Sequence, residues 1–326
     1  VSLKSLPQIL RNLRWPLAVL AAALAGCIDD PVPRLRVGTF LRPGFEPLFL
    51  ARSLGFYSDQ RIQFVEFPTA AEMLLAYRNH AIDAATVTTD DVLRLAADGQ
   101  EPRIVLVMGY SNGADAVLAK PTVSSLNKLK GQKVGVESNG LGGYVLARAL
   151  DSSGLTLADV QIVSGRADRV ERDYAINNVE AVAVSEPYRT HVVRRPTVTI
   201  FDSTKMPGEI ADVLIVPASM AAQPHPALRE LFDGWFRALD HLGAQSADAV
   251  ERMAPREAMT PDQFKAALAL FTFLERRESL RQINARDTPL IPAMQRMGAF
   301  MAKNGMLPGE VNVPALLQNP FPLVTP

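Results

Sequence analysis

The chain has 326 residues, 48% of them hydrophobic, enough for one large domain or two lobes of ordinary size. Lysine plus arginine and aspartate plus glutamate balance at 34 each, so bulk charge gives no reason to expect nucleic acid or an acidic membrane surface as partner. One cysteine excludes an intrachain disulfide and a zinc site built on several thiolates, and His80, His191, His225 and His241 show no HExxH or other short metal spacing.

At the N-terminus, Lys4, Arg11 and Arg14 form a basic front before an apolar run from Trp15 to Leu24. About ten residues of helix reach roughly 15 Å, half of a ~30 Å hydrocarbon core. The run is therefore too short to span a membrane, and it fits the h-region of a signal peptide over residues 1–26. Leu24-Ala25-Gly26-Cys27 resembles a bacterial lipobox, in which the cysteine sulfur takes a diacylglyceryl group and the chain is cut before it. That resemblance implies lipidation at Cys27, where two or three acyl chains would anchor stably; an ordinary cleaved signal is the rival reading. Ile28, not Asp, follows the cysteine, which by the sorting rule of such signals mildly favours the outer over the inner membrane. Residues 27–33, with Asp29, Asp30, Pro31 and Pro33, read as a tether, and folded structure is expected from Arg34.

From there strand and helix alternate. "RLRVGTF" reads as a strand, and Glu46 to Leu54 as a helix stopped by Gly55. "IQFVEF" alternates with period two. Thr69 and Glu72 form a capping box for "AEMLLAYRNH", and Thr88 with Asp91 repeats the device before "VLRLAAD", which Gly99 ends. "IDAATV" and "RIVLVMGY" supply further strands, and a βαβαβ run of this kind implies a largely parallel sheet with helices on both faces. After Pro121 the alternation resumes: strand "QKVGVE", helix "GGYVLARALDSSG", then strands "VQIVSG", "VEAVAV", "PTVTIFD" and "ADVLIVP". Beyond Pro217 the pattern predicts helices over "ALRELFDGWFRALDHL", "PDQFKAALALFTFLER" and "AMQRMGAFMAKNGM". Their Met and Phe stripes read as core.

Two stretches sit where an open α/β sheet places ligands, at C-terminal strand ends. In "VGVESNGLGGYVLARAL" a strand runs into a Gly-rich loop and a helix start near Gly143, whose free N–H groups favour a negative or polar ligand group. It is neither a Walker loop nor GxGxxG, because Val145 stands where the third glycine would. A tight turn serving packing alone is the other reading. The second stretch, Gly109-Tyr110-Ser111-Asn112-Gly113, matches the G-x-S-x-G of a hydrolase elbow. An elbow needs a long helix after the serine, whereas "ADAVLAKP" continues strand-like into Pro121.

The segments "PLFLARSLGFY", "NHAIDAATVTTDDVLRLAADG", "SNGADAVLAK", "LNKLKGQKVGVESNGLGGYVLARAL", "VEAVAVSEPY" and "MPGEIADVLIV" occur in one order. Together they resemble the solute-binding proteins of ABC importers of the nitrate/sulfonate/taurine (NitT/TauT) type. The resemblance covers about Arg34 to Leu317. It implies a two-lobed α/β type II periplasmic-binding fold, with mixed, mainly parallel sheets, helices on both faces and a helical C-terminal part. Lobe one would be residues 34–112 plus 212–326 and lobe two 113–211, with "GYSNGAD" and "PGEIAD" as the two crossings. Gly113 would let a hinge bend, and Ser111 would offer its hydroxyl to ligand rather than act as a nucleophile.

Carried over residue by residue, the resemblance places ligand contacts at Thr39, Phe40 and Arg42, at Thr88 and Asp90, and at Ser111, Asn112 and Asp115. Further contacts fall at Glu137, Ser138, Gly142, Gly143 and Tyr144, and at Glu186 beside Ser185. Asp90, Asp115, Glu137 and Glu186 outweigh Arg42, whereas a sulfonate or nitrate site calls for cationic donors, preferably a bidentate Arg. The expected solute is therefore a neutral or amine-bearing small organic molecule, with Phe40 or Tyr144 available for stacking.

The resemblance further implies a lipid-anchored, monomeric periplasmic protein that delivers solute to an ABC permease and ATPase, with no cofactor, metal, enzymatic activity or nucleic-acid partner. A ligand-sensing lipoprotein feeding a membrane receptor is one alternative, and a serine hydrolase at Ser111 is another. The pyrimidine-synthesising and porphyrin-forming enzymes of this fold use cysteines in the folded body, and Cys27 lies outside it.

Overall fold

A computed structural model describes residues 34–137, 140–284 and 288–319. The leader, the tether with Cys27, and the candidate contact Ser138 lie outside the described residues. Among those described, no helix is long and apolar enough to cross a membrane.

The first strand, β1 (Leu35–Thr39), runs through a short 3-10 turn, Pro43–Phe45, into α1 (Glu46–Ser53). Gly55 stops that helix at φ +66°, a left-handed conformation that side chains resist. β2 (Ile62–Glu66), α2 (Ala70–Arg78), β3 (Ala84–Thr88), α3 (Thr89–Ala97) and the long β4 (Pro102–Ser111) follow. The second alternation comprises β5 (Asp115–Ala119), β6 (Lys133–Glu137), α4 (Leu141–Asp151) and β7 (Gln161–Gly165). It continues with α5 (Ala167–Ala175), β8 (Ala181–Ser185), α6 (Tyr188–Val192) and β9 (Val198–Asp202). β10 (Ala211–Pro217) then leads to α7 (Ala218–Ala221), α8 (Pro226–Ala244) and α9 (Ser246–Met253). α10 (Pro261–Leu268), β11 (Phe271–Phe273), α11 (Arg276–Asn284) and α12 (Leu290–Lys303) close the order.

The strands form two sheets, ordered β11-β4-β10-β3-β1-β2 and β7-β6-β8-β5-β9. Both are mixed, with most strands in each pointing one way. β1 to β4 run one way in the first sheet, against β10 and β11; in the second, β5 alone opposes the other four. Ala-and-Val strands such as "AATVT" are buried on both faces, as a parallel strand covered on each side requires.

Two apolar clusters hold the first sheet. On one face Phe45 and Leu48 pack with Trp235, Leu231 and Phe264, all fully buried. Each such side chain contributes about 1.5–3 kcal/mol on burial. On the other face Met294, Met297 and Met301 of α12 join a cluster that continues through Tyr144 into the core of the second sheet. The methionine and phenylalanine stripes are thus core.

Two expectations are corrected. The predicted helix over "PDQFKAALALFTFLER" breaks after Leu268: Phe271–Phe273 instead pairs antiparallel with Gly109–Ser111, the end of the long β4. Thr88 does not complete a capping box, because its hydroxyl donates to the Asp90 carboxylate at 2.6 Å rather than accepting a backbone N–H. Thr69 does cap α2, accepting from the Glu72 amide at 3.2 Å.

Candidate ligand-binding cleft

Ends of parallel strands from both sheets converge on one cleft. β1 contributes the loop Phe40–Arg42, β3 contributes Thr88 with Asp91 of α3, and Pro68–Ala70 open α2. From the second sheet come Glu137 and Gly140–Gly142 at the start of α4, Ala183–Glu186 at the end of β8, and Tyr188. Ala167 and Val170 of α5 complete an apolar wall. This is the crevice outside carboxyl strand ends where open α/β sheets bind ligands.

Gly142 permits the close fit of α4 here. A Cβ on it would stand 2.6 Å from the Ala183 carbonyl oxygen, whereas one on Gly143 would meet nothing nearer than 3.9 Å.

Arg42 dominates the floor. Its guanidinium gives two parallel bonds to Asp115, both 3.1 Å, and a third to Asp212 at 2.8 Å, and all three side chains are fully buried. Gly44 makes room for the arrangement, since a Cβ there would fall 2.1 Å from Asp212 Oδ2. Burial alone would lower the Arg42 pKa, but the charges of Asp115 and Asp212 more than offset it and hold the cation firmly protonated. Burial would likewise raise Asp115; the bidentate guanidinium and the hydroxyls of Ser111 and Ser185 hold it below the usual carboxylate range. Asp212 receives one N–H only, and burial with Asp115 nearby pushes it up to about 6.

Among the expected contacts, Phe40, Arg42, Thr88, Glu137, Gly142 and Glu186 line the cleft. Glu186 is buried and accepts from the Thr190 amide and hydroxyl at 3.1 and 3.0 Å, with Arg189 at 3.4 Å. Asp90 and Asp115 sit beneath the lining, Asp90 under Thr88 and Asp115 under Arg42. Thr39 is buried against Thr86 at 3.0 Å. Asn112 is exposed on the β4–β5 connection, its amide donating to the Leu270 carbonyl.

Two residues face elsewhere than expected. The Tyr144 ring is buried edge-on against Phe300, centroids 5.8 Å apart, and its hydroxyl donates to Glu209, so it presents no face for stacking in the cleft. The Ser111 hydroxyl is paired with Ser203 at 2.7 Å, within a strand end that leads to β5 rather than into a helix. The elbow geometry of a hydrolase is therefore not formed there.

Asp91, Pro68–Ala70, Val170 and Tyr188 were not singled out from sequence. Asp91 was visible only as a helix-cap partner. The transferable signal is a Thr-led helix start soon after a strand, at Thr69, which caps its helix, and at Thr88, which does not.

A model of the NMT1-like family matches residues 29–255. Over 134 residues, 40% of this chain, the sequence is 27% identical to an aliphatic sulfonates-binding protein of Escherichia coli (strain K12), and that match spans only 42% of the relative's length. The crystal structure of the periplasmic aliphatic sulphonate binding protein SsuA from Escherichia coli aligns with a TM-score of 0.76 at 19% identity, covering 90% of this chain and 94% of that one. The desulfurization enzyme DSZB shares the fold more distantly, at a TM-score of 0.62 and 15% identity over 88% of this chain and 97% of its own. With a family match running through both sheets and a fold shared with a periplasmic binding protein, the chain belongs to the NMT1-like family and has the type II periplasmic-binding fold of NitT/TauT-type substrate-binding proteins.

Proposed function

We propose that the protein is an extracytoplasmic solute-binding lipoprotein that captures a small organic molecule in the cleft and delivers it to an ABC importer. The observation that carries this reading is a cleft built from strand ends of two separate sheets, joined by chain crossings at residues 112–114 and 203–210. In this reading residues 34–112 with 212–326 form one lobe and 113–211 the other, and solute closes them about those crossings. The sulfonate-binding relative supports the transport role. Lipidation at Cys27 would hold the protein in the periplasm at a membrane surface.

Two dyes report closure directly. Leu75 on α2 and Ile176 just after α5 are exposed, one on each proposed lobe. In a Cys27→Ala background, Leu75→Cys with Ile176→Cys should show a rise in energy transfer when a small-molecule extract of bacterial cells is added. Native mass spectrometry of the same sample should show one retained mass. Unchanged transfer with no retained mass would overturn the solute-binding reading. The anchor is tested separately: Cys27→Ala should move the protein from the membrane to the soluble periplasmic fraction.

A further inference from the structure

We propose that the solute is a small organic cation with N–H donors, an amine or amidine, whose charge is met by Asp91 while its carbon body lies on the apolar wall. This rests on the solute-binding reading above and names the class of ligand.

The cleft is lined by three carboxylates, Asp91, Glu137 and Glu186, and by one cation, Arg42. That cation is not open to an anion, because its three side-chain hydrogen bonds go to Asp115 and Asp212 beneath the floor. A sulfonate entering here would meet no uncommitted guanidinium, and it would share the cleft with three carboxyl groups.

Helix N-termini could in principle answer an anion, since their N–H groups carry partial positive charge. Three of those at the cleft, the starts of α2, α3 and α4, already have a carboxylate beside them. Glu72 lies in the first turn of α2, Asp90 and Asp91 in that of α3, and Glu137 at the strand end just before α4. The local dipoles are thereby offset.

Asp91 is the group left wanting. It is only 2% exposed yet lines the cleft, and among the described residues no cation stands within ion-pair distance of it. It accepts from the Thr88 amide and takes a long 3.4 Å contact from the Thr88 hydroxyl, while the neighbouring Asp90 takes the short hydroxyl bond and lies 3.6 Å from Arg94, whose charge reaches Asp91 only from beyond ion-pair distance. Burial, with Asp90 beside it, pushes Asp91 well above the usual carboxylate range. Ionising it in place without a cation is costly, so it keeps its proton until a ligand cation supplies the partner. In the same cleft, Phe40, Leu141, Val170 and Val184 offer a surface for an apolar body.

The test uses ligands matched in carbon skeleton. Benzylamine and benzamidine are titrated against benzenesulfonate by calorimetry, with putrescine and taurine as an aliphatic pair, alongside the mass identified from the cell extract. The expected result is binding of amine or amidine members, a retained extract mass that is cationic at neutral pH, and no sulfonate binding. Asp91→Asn should weaken cation binding at least tenfold while the apo protein melts no lower than the parent, which separates lost recognition from lost folding. Sulfonate binding equal to or tighter than that of the matched amine, or an anionic extract ligand, would overturn the cation assignment and leave the solute-binding reading standing. No retained extract mass together with silence from every titrated compound would overturn both.

Discussion

At the scale of single residues, Arg42 is the side chain whose role shifts most between sequence and structure. A loop arginine at a strand end is expected to meet ligand; here it ties the cleft loop to Asp115 at the start of β5 and Asp212 at the start of β10. Removing one partner of a buried ion cluster leaves uncompensated charge, typically ~3–5 kcal/mol. Arg42→Met should therefore lower unfolding free energy in urea by about that much. The triple replacement Arg42→Met, Asp115→Leu, Asp212→Leu should recover most of the loss, and a triple variant no better than the single one would refute the argument. A second buried group titrates. Glu257 lies beside Glu46 and shares a hydrogen bond with it, and burial pushes Glu46 up to about 7 despite Arg256. Both folded carboxyls hold protons more tightly than the unfolded chain. The stability they contribute is full in acid; the part due to Glu46 is lost as pH rises from about 4.5 through about 7, and the part due to Glu257 is lost from the same lower limit up to its own, strongly raised, pKa. Glu257→Gln should flatten the fall in melting temperature across that interval and leave the protein more stable than the parent at pH 8. A parallel-shifted profile would disprove the assignment. None of this was legible in the sequence, because the partners of Arg42 stand 73 and 170 residues away and the Glu46–Glu257 contact is equally remote.

Secondary-structure elements read better than their side chains. Alternating strands and helices, capped starts at Thr69 and glycine stops at Gly55 and Gly99 depend on neighbours in sequence, and the structure forms them. The element that escaped is β11. "FTF" lies inside an apolar run with helical spacing, and only the unpaired end of β4, more than 150 residues earlier in the chain, makes it a strand. The Gly-rich start of α4 was legible as a ligand loop, but not which glycine matters. A methyl at Gly142 must displace the Ala183 carbonyl, whereas Gly143 has open space. Gly142→Ala should cost roughly 1–3 kcal/mol as overpacking and abolish solute binding. Gly143→Ala should be near neutral in both urea titration and calorimetry, and equal losses at the two positions would show that close packing of α4 on β8 is not the reason for the glycine.

At the scale of the whole molecule, the proposed closure depends on small energies, and these can be weighed. Gly113 on the first crossing sits at φ +109°, and its amide donates to the Ser203 hydroxyl at 2.6 Å, so one crossing is pinned to the other. Across the mouth, Arg166 before α5 reaches Glu72 on α2 at 3.0 Å, with both side chains about half exposed. An exposed pair of this kind is worth ~0.2–1 kcal/mol. That is negligible for folding, yet 1 kcal/mol shifts a two-state ratio about fivefold. If the pair holds the lobes together without solute, Glu72→Gln should move the ligand-free protein toward low energy transfer between dyes at Leu75→Cys and Ile176→Cys. The shift should be clear at 10 mM salt and vanish near 1 M, where charges are screened within ~3 Å. The parent should meanwhile open as salt rises, until the two proteins coincide. Transfer that is insensitive to salt in the parent, or a Glu72→Gln protein that stays closed at low ionic strength, would mean that apolar contacts such as Tyr144 on Phe300 set the closed state instead.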